Sequence, residues 1–158
     1  MNNGKLWFET AKKHLKVAEE NLNIDQYLVA FQYAIISAEV ALKAVLVKNG
    51  LFVDKGLPLG DKHHKIPDHF KKIKNRNCLS EETIEKLATV IGDENRGGLG
   101  YIRIVTPSGY YMDCTSGQQV LLRYIYKEAS PYDMIKEDDA KEKVKEAKHL
   151  INILSSFF

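Results

Sequence analysis

From Lys5 to Leu22 the apolar residues Trp7, Ala11, Leu15, Ala18 and Leu22 recur at steps of four, four, three and four. That period keeps them on one side of a helix, so the spacing predicts an amphipathic first helix. Asp25 stands where its side-chain oxygen could cap a new helix start, and from Gln26 to Lys48 the chain is almost continuously apolar. A helix with so little polar surface belongs at the centre of a fold. Asn49-Gly50 ends it, because glycine tolerates the left-handed conformation that closes helices.

Gly56, Pro58 and Gly60 make the stretch from Leu51 to Lys65 a connection, and Pro67 in a first turn predicts a short third helix from Pro67 to Lys74. Ser80-Glu81-Glu82 opens a fourth helix, with a capping hydroxyl and two carboxylates beside the positive end of the helix dipole. Its expected buried face is Ile84, Leu87 and Ile91, and Gly92 stops it. Helix resumes from Gln118 to about Glu128, breaks at Ser130-Pro131 and restarts near Lys136. In the last helix Ala140, Val144, Ala147, Ile151, Leu154 and Phe158 again keep the helical step.

Residues 92–117 break this pattern. They are rich in glycine, contain Pro107, and hold two β-prone runs, YIRIV and YYMDC, around the turn sequence TPSG. The reading is an irregular insertion that can form a small hairpin. The whole chain, residues 1–158, is therefore expected to be one all-α domain: an up-and-down bundle of five to six helices with an irregular glycine-rich insertion at 92–117.

Composition adds exclusions. With 44% hydrophobic and 28% charged residues the chain resembles an average globular protein, and a formal charge of +2 excludes a globally basic nucleic-acid binder. Any basic function must come from local clustering. Only two cysteines occur, Cys78 and Cys114, and a chain with a core this large does not depend on disulfides, which favours reduced thiols in a cytoplasm. The segment MNNGKLWFETAKK lacks the basic-then-apolar order of a signal peptide, and no apolar run approaches the ~20 residues of a membrane span, so no membrane association is expected.

Candidate chemistry concentrates in DKHHKIPDHFKKIKNR, residues 61–76. His63, His64 and His69 do not make a metal site: no cysteine pair accompanies them, and on a helix His64 and His69 point about 140° apart. Lys62, Lys65, Lys71, Lys72, Lys74 and Arg76, offset by Asp61 and Asp68, form a basic run that reads either as a solvated helix face or as a set of phosphate contacts. Glu39 and Lys43 lie one turn apart in the apolar helix and are expected to form an internal ion pair that fixes packing or contacts Arg123 or a partner. Gly97-Gly98-Leu99-Gly100 does not follow a strand and open a helix, so it does not read as a phosphate cradle. Tyr101, Tyr110 and Tyr111 read as cover for a hairpin face or as stacking surfaces for bases.

The run Ala38-Glu39-x-Ala41-Leu42-Lys43-Ala44, followed by an apolar pair and a glycine, resembles the HEPN family of small helical-bundle domains. Trp7, Ala11 and Leu15 ahead of it stand in the family's order. So do His64 with Ile66, Phe70 and Ile73, and Arg123-Tyr124 before a proline and an alanine-rich last helix. The resemblance covers nearly the whole chain apart from residues 92–117. It implies a helical bundle, commonly a homodimer, associated with nucleotides or RNA and often paired with a small nucleotidyltransferase in toxin–antitoxin systems. Its active members are metal-independent ribonucleases with an Arg, four to six residues, then His.

This chain departs from that motif. After Arg76, Arg96, Arg103 and Arg123, the fifth to seventh positions hold no histidine. RNA cleavage by attack of a 2′-hydroxyl needs a base near neutral pKa and a cation for the developing phosphorane charge, and here the arginines lack the base. The expectation is a homodimeric, cytoplasmic nucleotide- or RNA-binding or partner-binding protein without catalytic residues, metal or cofactor. The binding candidates are His64, Arg96, Arg123, Tyr124, Lys71, Lys72 and Lys74, and the polar core pair is Glu39 and Lys43. The homodimer is also expected because the helices over 26–48 and 140–158 carry more apolar surface than short neighbours cover. Two alternatives are a ribonuclease whose base is His63 or His64, and a purely structural dimeric interaction module.

Overall fold

The computed structural model describes residues 3–51, 65–105, 111–115 and 130–158, the strand positions 103–105 and 111–115 by their backbone alone. His63, His64, Arg123, Tyr124 and the helix expected over 118–128 lie outside the described residues.

Helix α1 runs Gly4–Asn23 and α2 runs Tyr27–Lys48. Both expected helices are present, with corrections at their details. In α1 the deeply buried residues are Phe8, Ala11, Leu15 and Ala18, while Trp7 and Leu22 sit half-buried at the margin of the stripe. Phe8 takes the core position because the buried stripe of α1 runs through Gly4, Phe8, Ala11, Leu15 and Ala18, one residue beyond Trp7. Asp25 does not cap α2: it adopts a left-handed conformation with φ 61°, and Gln26 precedes the helix without a side-chain cap. Its carboxylate instead accepts a hydrogen bond from the Tyr27 hydroxyl at 3.1 Å.

Helix α2 corrects one further expectation. Although Glu39 and Lys43 interrupt its apolar run, it is long and apolar enough as a whole to cross a membrane. It is also the centre of the bundle: 14 of its 22 residues are buried, the charged pair among them. Neighbouring helices bury most of its circumference, while Val29, Tyr33, Ile36, Val40 and Val47, at helical spacing along one side, are only half-buried. As expected, the chain leaves α2 through Gly50, φ 71°.

Helix α3, Ile66–Asn75, packs Ile66, Phe70 and Ile73 inward, with Pro67 in its first turn. Helix α4, Glu81–Ile91, is capped as its sequence predicts: the Ser80 Oγ accepts from the Thr83 amide at 3.2 Å. Leu87, Val90 and Ile91 make its buried face and Ile84 is only half-buried, so the inward stripe lies nearer the C-terminal end than expected.

Gly92, φ 78°, stops α4 and turns the chain back. Residues 98–100 then lie against the end of α4, where the Leu99 and Gly100 amides donate to the Val90 and Ile91 carbonyls. A Cβ on Gly98 would stand 2.5 Å from the Ile91 oxygen, so only glycine lets the backbone approach this closely.

Strands β1, Tyr101–Val105, and β2, Tyr111–Thr115, form the antiparallel hairpin anticipated in the insertion, in register from Tyr101 opposite Thr115 to Val105 opposite Tyr111. Beyond it, Ser130-Pro131 does not merely break a helix: Ser130 caps a four-residue helix α5, Pro131–Met134, with its Oγ accepting from the Tyr132 amide. Helix α6, Glu137–Leu154, buries Ala140, Val144, Ala147, Leu150, Ile151 and Leu154, and ends in a 3₁₀ turn, Ser155–Phe157. It runs antiparallel to α1, with Lys148 beside Glu19 near one end and Phe158 stacked on Phe8 at 4.4 Å near the other. Among the described residues the protein is thus mostly helical, a bundle built around α2 with a two-stranded hairpin.

Candidate functional site

Two groups of charged residues stand out, and they differ in everything but composition. The first is the outer edge of α3. Because Ile66, Phe70 and Ile73 take the inward face, the intervening Asp68, Lys71, Lys72 and Lys74 turn to solvent, and Arg76 follows exposed at the C-terminal end. Lys72 is tethered, its Nζ donating to the Leu51 carbonyl at 2.9 Å. Lys74 lies 4.7 Å over the Phe70 ring, a cation–π contact that leaves its ammonium hydrogens free to bond elsewhere. His69, from the same sequence run, is buried inward and does not belong to this edge. Cys78 is buried just beyond it. Burial pushes its thiol up, with Arg76 and Lys72 pulling the other way, which holds it as an inert thiol rather than a nucleophile.

The second group is internal. Lys43 Nζ meets Glu39 Oε1 at 3.1 Å, with both side chains about 5% exposed, so the pair expected from the i,i+4 spacing is present and buried. Next to it stands a residue that sequence reasoning passed over. His14 of α1 is half-buried, its ring 5.7 Å from that of Tyr33 of α2. Burial lowers the imidazole below its ordinary pKa and the Glu39 carboxylate raises it. The signal in the sequence was its place two turns after Trp7, beside the apolar stripe of α1.

Arg96 is not on the α3 edge. It lies in the turn after α4, where its Nε pairs with Asp93 Oδ2 at 2.9 Å and its amide donates to Asp93 Oδ1 at 2.8 Å. These bonds hold the Asp93 carboxyl below its ordinary range. The structure therefore brings Lys71, Lys72 and Lys74 together, encloses Glu39 with Lys43, and sets Arg96 apart. The run Gly97-Gly98-Leu99-Gly100 offers no phosphate cradle: the amides of Gly97 through Gly100 donate to backbone carbonyls. Lys143 of α6 secures the run from below. Its Nζ donates to the Gly98 carbonyl at 3.1 Å and pairs with Glu146 at 3.2 Å. That buried lysine also went unread in the sequence, where it sat inside an apparently amphipathic α6. Among the described residues no cluster of three or more His, Cys, Asp or Glu could hold a metal ion.

A helical bundle centred on an apolar α2 with a Glu–x–x–x–Lys pair is what the HEPN resemblance requires, and a family model described as HEPN domain matches residues 5–157. The chain belongs to the HEPN family. HEPN domains are generally associated with nucleotides or RNA, frequently in toxin–antitoxin pairs, and often dimerise. No curated protein and no solved structure matches the chain. The HEPN match runs from the first turn of α1 to the closing 3₁₀ turn, so the hairpin lies within the matched length.

Proposed function

We propose that this HEPN domain binds RNA or a nucleotide through phosphate contacts at the outer edge of α3 and does not cleave it. In this reading the protein is a cytoplasmic homodimer that acts as one component of a toxin–antitoxin type pair with a small nucleotidyltransferase. The observation that carries the reading is the exposed row Lys71, Lys72, Lys74 and Arg76 on a HEPN domain whose arginines lack the histidine five to seven positions on. Exposed cations on a rigid helix suit an anionic backbone, whose charge is recognised independently of base sequence. His64, Arg123 and Tyr124, placed by the family resemblance near the same function, would add a donor fork and a stacking ring if they line that edge.

Cleavage requires more than attraction. A general base must reach the 2′-hydroxyl and a cation must meet the phosphorane, with their pKa values matched to the step. Among the described histidines, His69 is buried inward, His149 lies exposed on α6, and His14 faces Tyr33 and Glu39, so none stands on the α3 edge. Incubating the purified protein with a mixed RNA pool tests the reading: retention of RNA with its length distribution unchanged is the expected result. Metal-independent cleavage that disappears in His64→Ala or Arg123→Ala would overturn it in favour of a ribonuclease.

A further inference from the structure

Helix geometry divides the α3 cations into two sets. Each residue turns the helix by about 100°, so Lys71 and Lys74, three apart, share one flank, and Lys72 and Arg76, four apart, share the other. Lys72 and Lys74, two apart, stand about 200° from each other around the axis. With Ile66, Phe70 and Ile73 turned inward, the crest between the flanks falls to the exposed Asp68 and Asn75. Each flank also holds one cation in place. Lys74 Nζ lies 4.7 Å over the ring of Phe70, which is 6% exposed and fixed in the core. On the opposite flank Lys72 Nζ donates to the Leu51 carbonyl at 2.9 Å. That carbonyl is itself held. The left-handed Gly50 lets its own amide donate to the Val47 carbonyl at 3.0 Å and the Leu51 amide to the Leu46 carbonyl at 2.9 Å, the paired bonds that close a helix end. Neither hold exhausts the ammonium: the ring face attracts its charge, and the Leu51 bond takes one of its three donors. Among the described residues Lys71 and Arg76 have no hydrogen bond, ion pair or ring contact of this kind.

Resting on the phosphate-binding reading of this edge, we infer that α3 carries two separate phosphate seats, one on each flank, and that its ligand is an RNA strand crossing the helix rather than a free nucleotide. Each seat joins one held lysine to one free cation: Lys74 with Lys71, and Lys72 with Arg76. Phe70 and the Leu51 carbonyl are positioning groups. A lysine loses rotamer freedom when it grips a ligand, and one that is already held loses less, so the held lysine anchors each seat. The seats lie about 10 Å apart, the width of a helix. The Asp68 carboxylate on the crest between them repels a phosphate centred there. One phosphate cannot reach both flanks, and the directly linked phosphates of a nucleotide would have to lie across Asp68 to do so. A strand separates its phosphates by sugars and can seat one on each side, and the second contact then forms at high effective concentration.

The positioning can be tested on the full chain without ligand. In the proton spectrum the Phe70 ring should move the Lys74 ε-methylene resonances upfield. Phe70→Met, which keeps apolar bulk but removes the ring face, should abolish that shift, and Phe70→Tyr should retain it. Binding of a labelled single-stranded oligoribonucleotide at low salt then tests the seats. Phe70→Met should weaken it about threefold or more, the cost of ordering a released lysine, and Phe70→Tyr should not. In a Lys74→Gln background Phe70→Met should change nothing further, whereas a merely packing role for Phe70 would lower affinity in both backgrounds. Lys72→Gln and Lys74→Gln should each cost more than Lys71→Gln, and their fold-losses should multiply, as independent sites do. Adenosine triphosphate without metal, limited to one seat, should bind about tenfold or more weakly than the strand. Unshifted Lys74 resonances, strand binding untouched by Lys72→Gln or by Lys74→Gln, or triphosphate binding as tight as the strand's would overturn the inference and leave the phosphate reading of the edge in place. No strand binding by the parent at low salt would remove both.

Discussion

Lys43 and Lys71 are the same side chain in opposite surroundings. Lys43 is 4% exposed in the middle of α2 with Glu39 at 3.1 Å, whereas Lys71 stands in solvent on α3. Removing an ammonium from water costs several kcal/mol unless a partner replaces the lost hydration, so the internal lysine is committed to the fold. The external one retains its water and with it the freedom to exchange that water for a phosphate. Burial, not residue type, therefore separates the structural charges of this protein from those available for binding. Lys143 sits with Lys43 in the first group, and the α3 row forms the second.

The sharpest way to break this comparison is to remove one half of the buried pair. Glu39→Leu should destabilise the protein by about 3–5 kcal/mol, because it leaves the Lys43 ammonium in the core without its carboxylate. Adding Lys43→Met should restore most of that loss, since an apolar pair of similar volume needs no desolvation. Chemical denaturation of the two single variants and the double variant gives the coupling directly. Equal and additive losses would mean that the two charges are not held by each other.

A smaller effect is expected at Lys143. Lys143→Met keeps the length but removes the donor to the Gly98 carbonyl and the partner of Glu146, at a cost of about 1–3 kcal/mol. Burial pushes the Glu146 carboxyl above its ordinary pKa, and Lys143 pulls the other way. Without the lysine the carboxyl should rise further. Its neutral form tolerates burial better, so the stability gap between variant and parent should narrow as pH falls toward the acid range. Thermal melts of both proteins along a pH series check the sign.

His14 should have a smaller effect still. Its folded-state pKa lies below the unfolded value near 6.5, so the unfolded chain binds the proton more readily. The contribution of the neutral imidazole is fully present above that value and is lost as pH falls below it toward the folded pKa. Replacing His14 with Phe should flatten the melting-temperature profile on the acid side of about pH 6.5. A profile unchanged by the substitution would place the pH dependence elsewhere.

The bundle was legible in the sequence where a single period ran long enough to be read. Steps of three and four placed α1 and α6, Ser80 and Gly92 bounded α4, and the β-prone runs around TPSG announced the hairpin. What escaped were features set by tertiary approach. A helical wheel does not say that Phe8 rather than Trp7 is deeply buried, that Asp25 turns left-handed instead of capping, or that Lys143 lies under the Gly98 carbonyl. Spacing predicted the Glu39–Lys43 pair, and the apolar run around it suggested its burial. That His14 of α1 lies close enough to feel the Glu39 carboxylate of α2 follows from how the two helices pack. The candidate site was legible as charge, in the lysine row, but not as availability. That Lys72 is tied to Leu51, Lys74 lies on Phe70 and Arg96 is locked to Asp93 follows only from packing.

The measurement closest to the central claim is the salt dependence of RNA binding by the parent and by a variant with Lys71→Gln, Lys72→Gln and Lys74→Gln. Since these side chains are exposed, the variant should fold with a stability within about 0.5 kcal/mol of the parent. Anisotropy of a labelled single-stranded oligoribonucleotide should show weaker binding, uniform across sequences, with a shallower dependence of log affinity on log salt. Each lost phosphate contact should remove about 0.7 from the slope. An affinity and slope unchanged by the triple substitution, or no binding by the parent at low salt, would contradict the account and leave the α3 row as a solvated helix face.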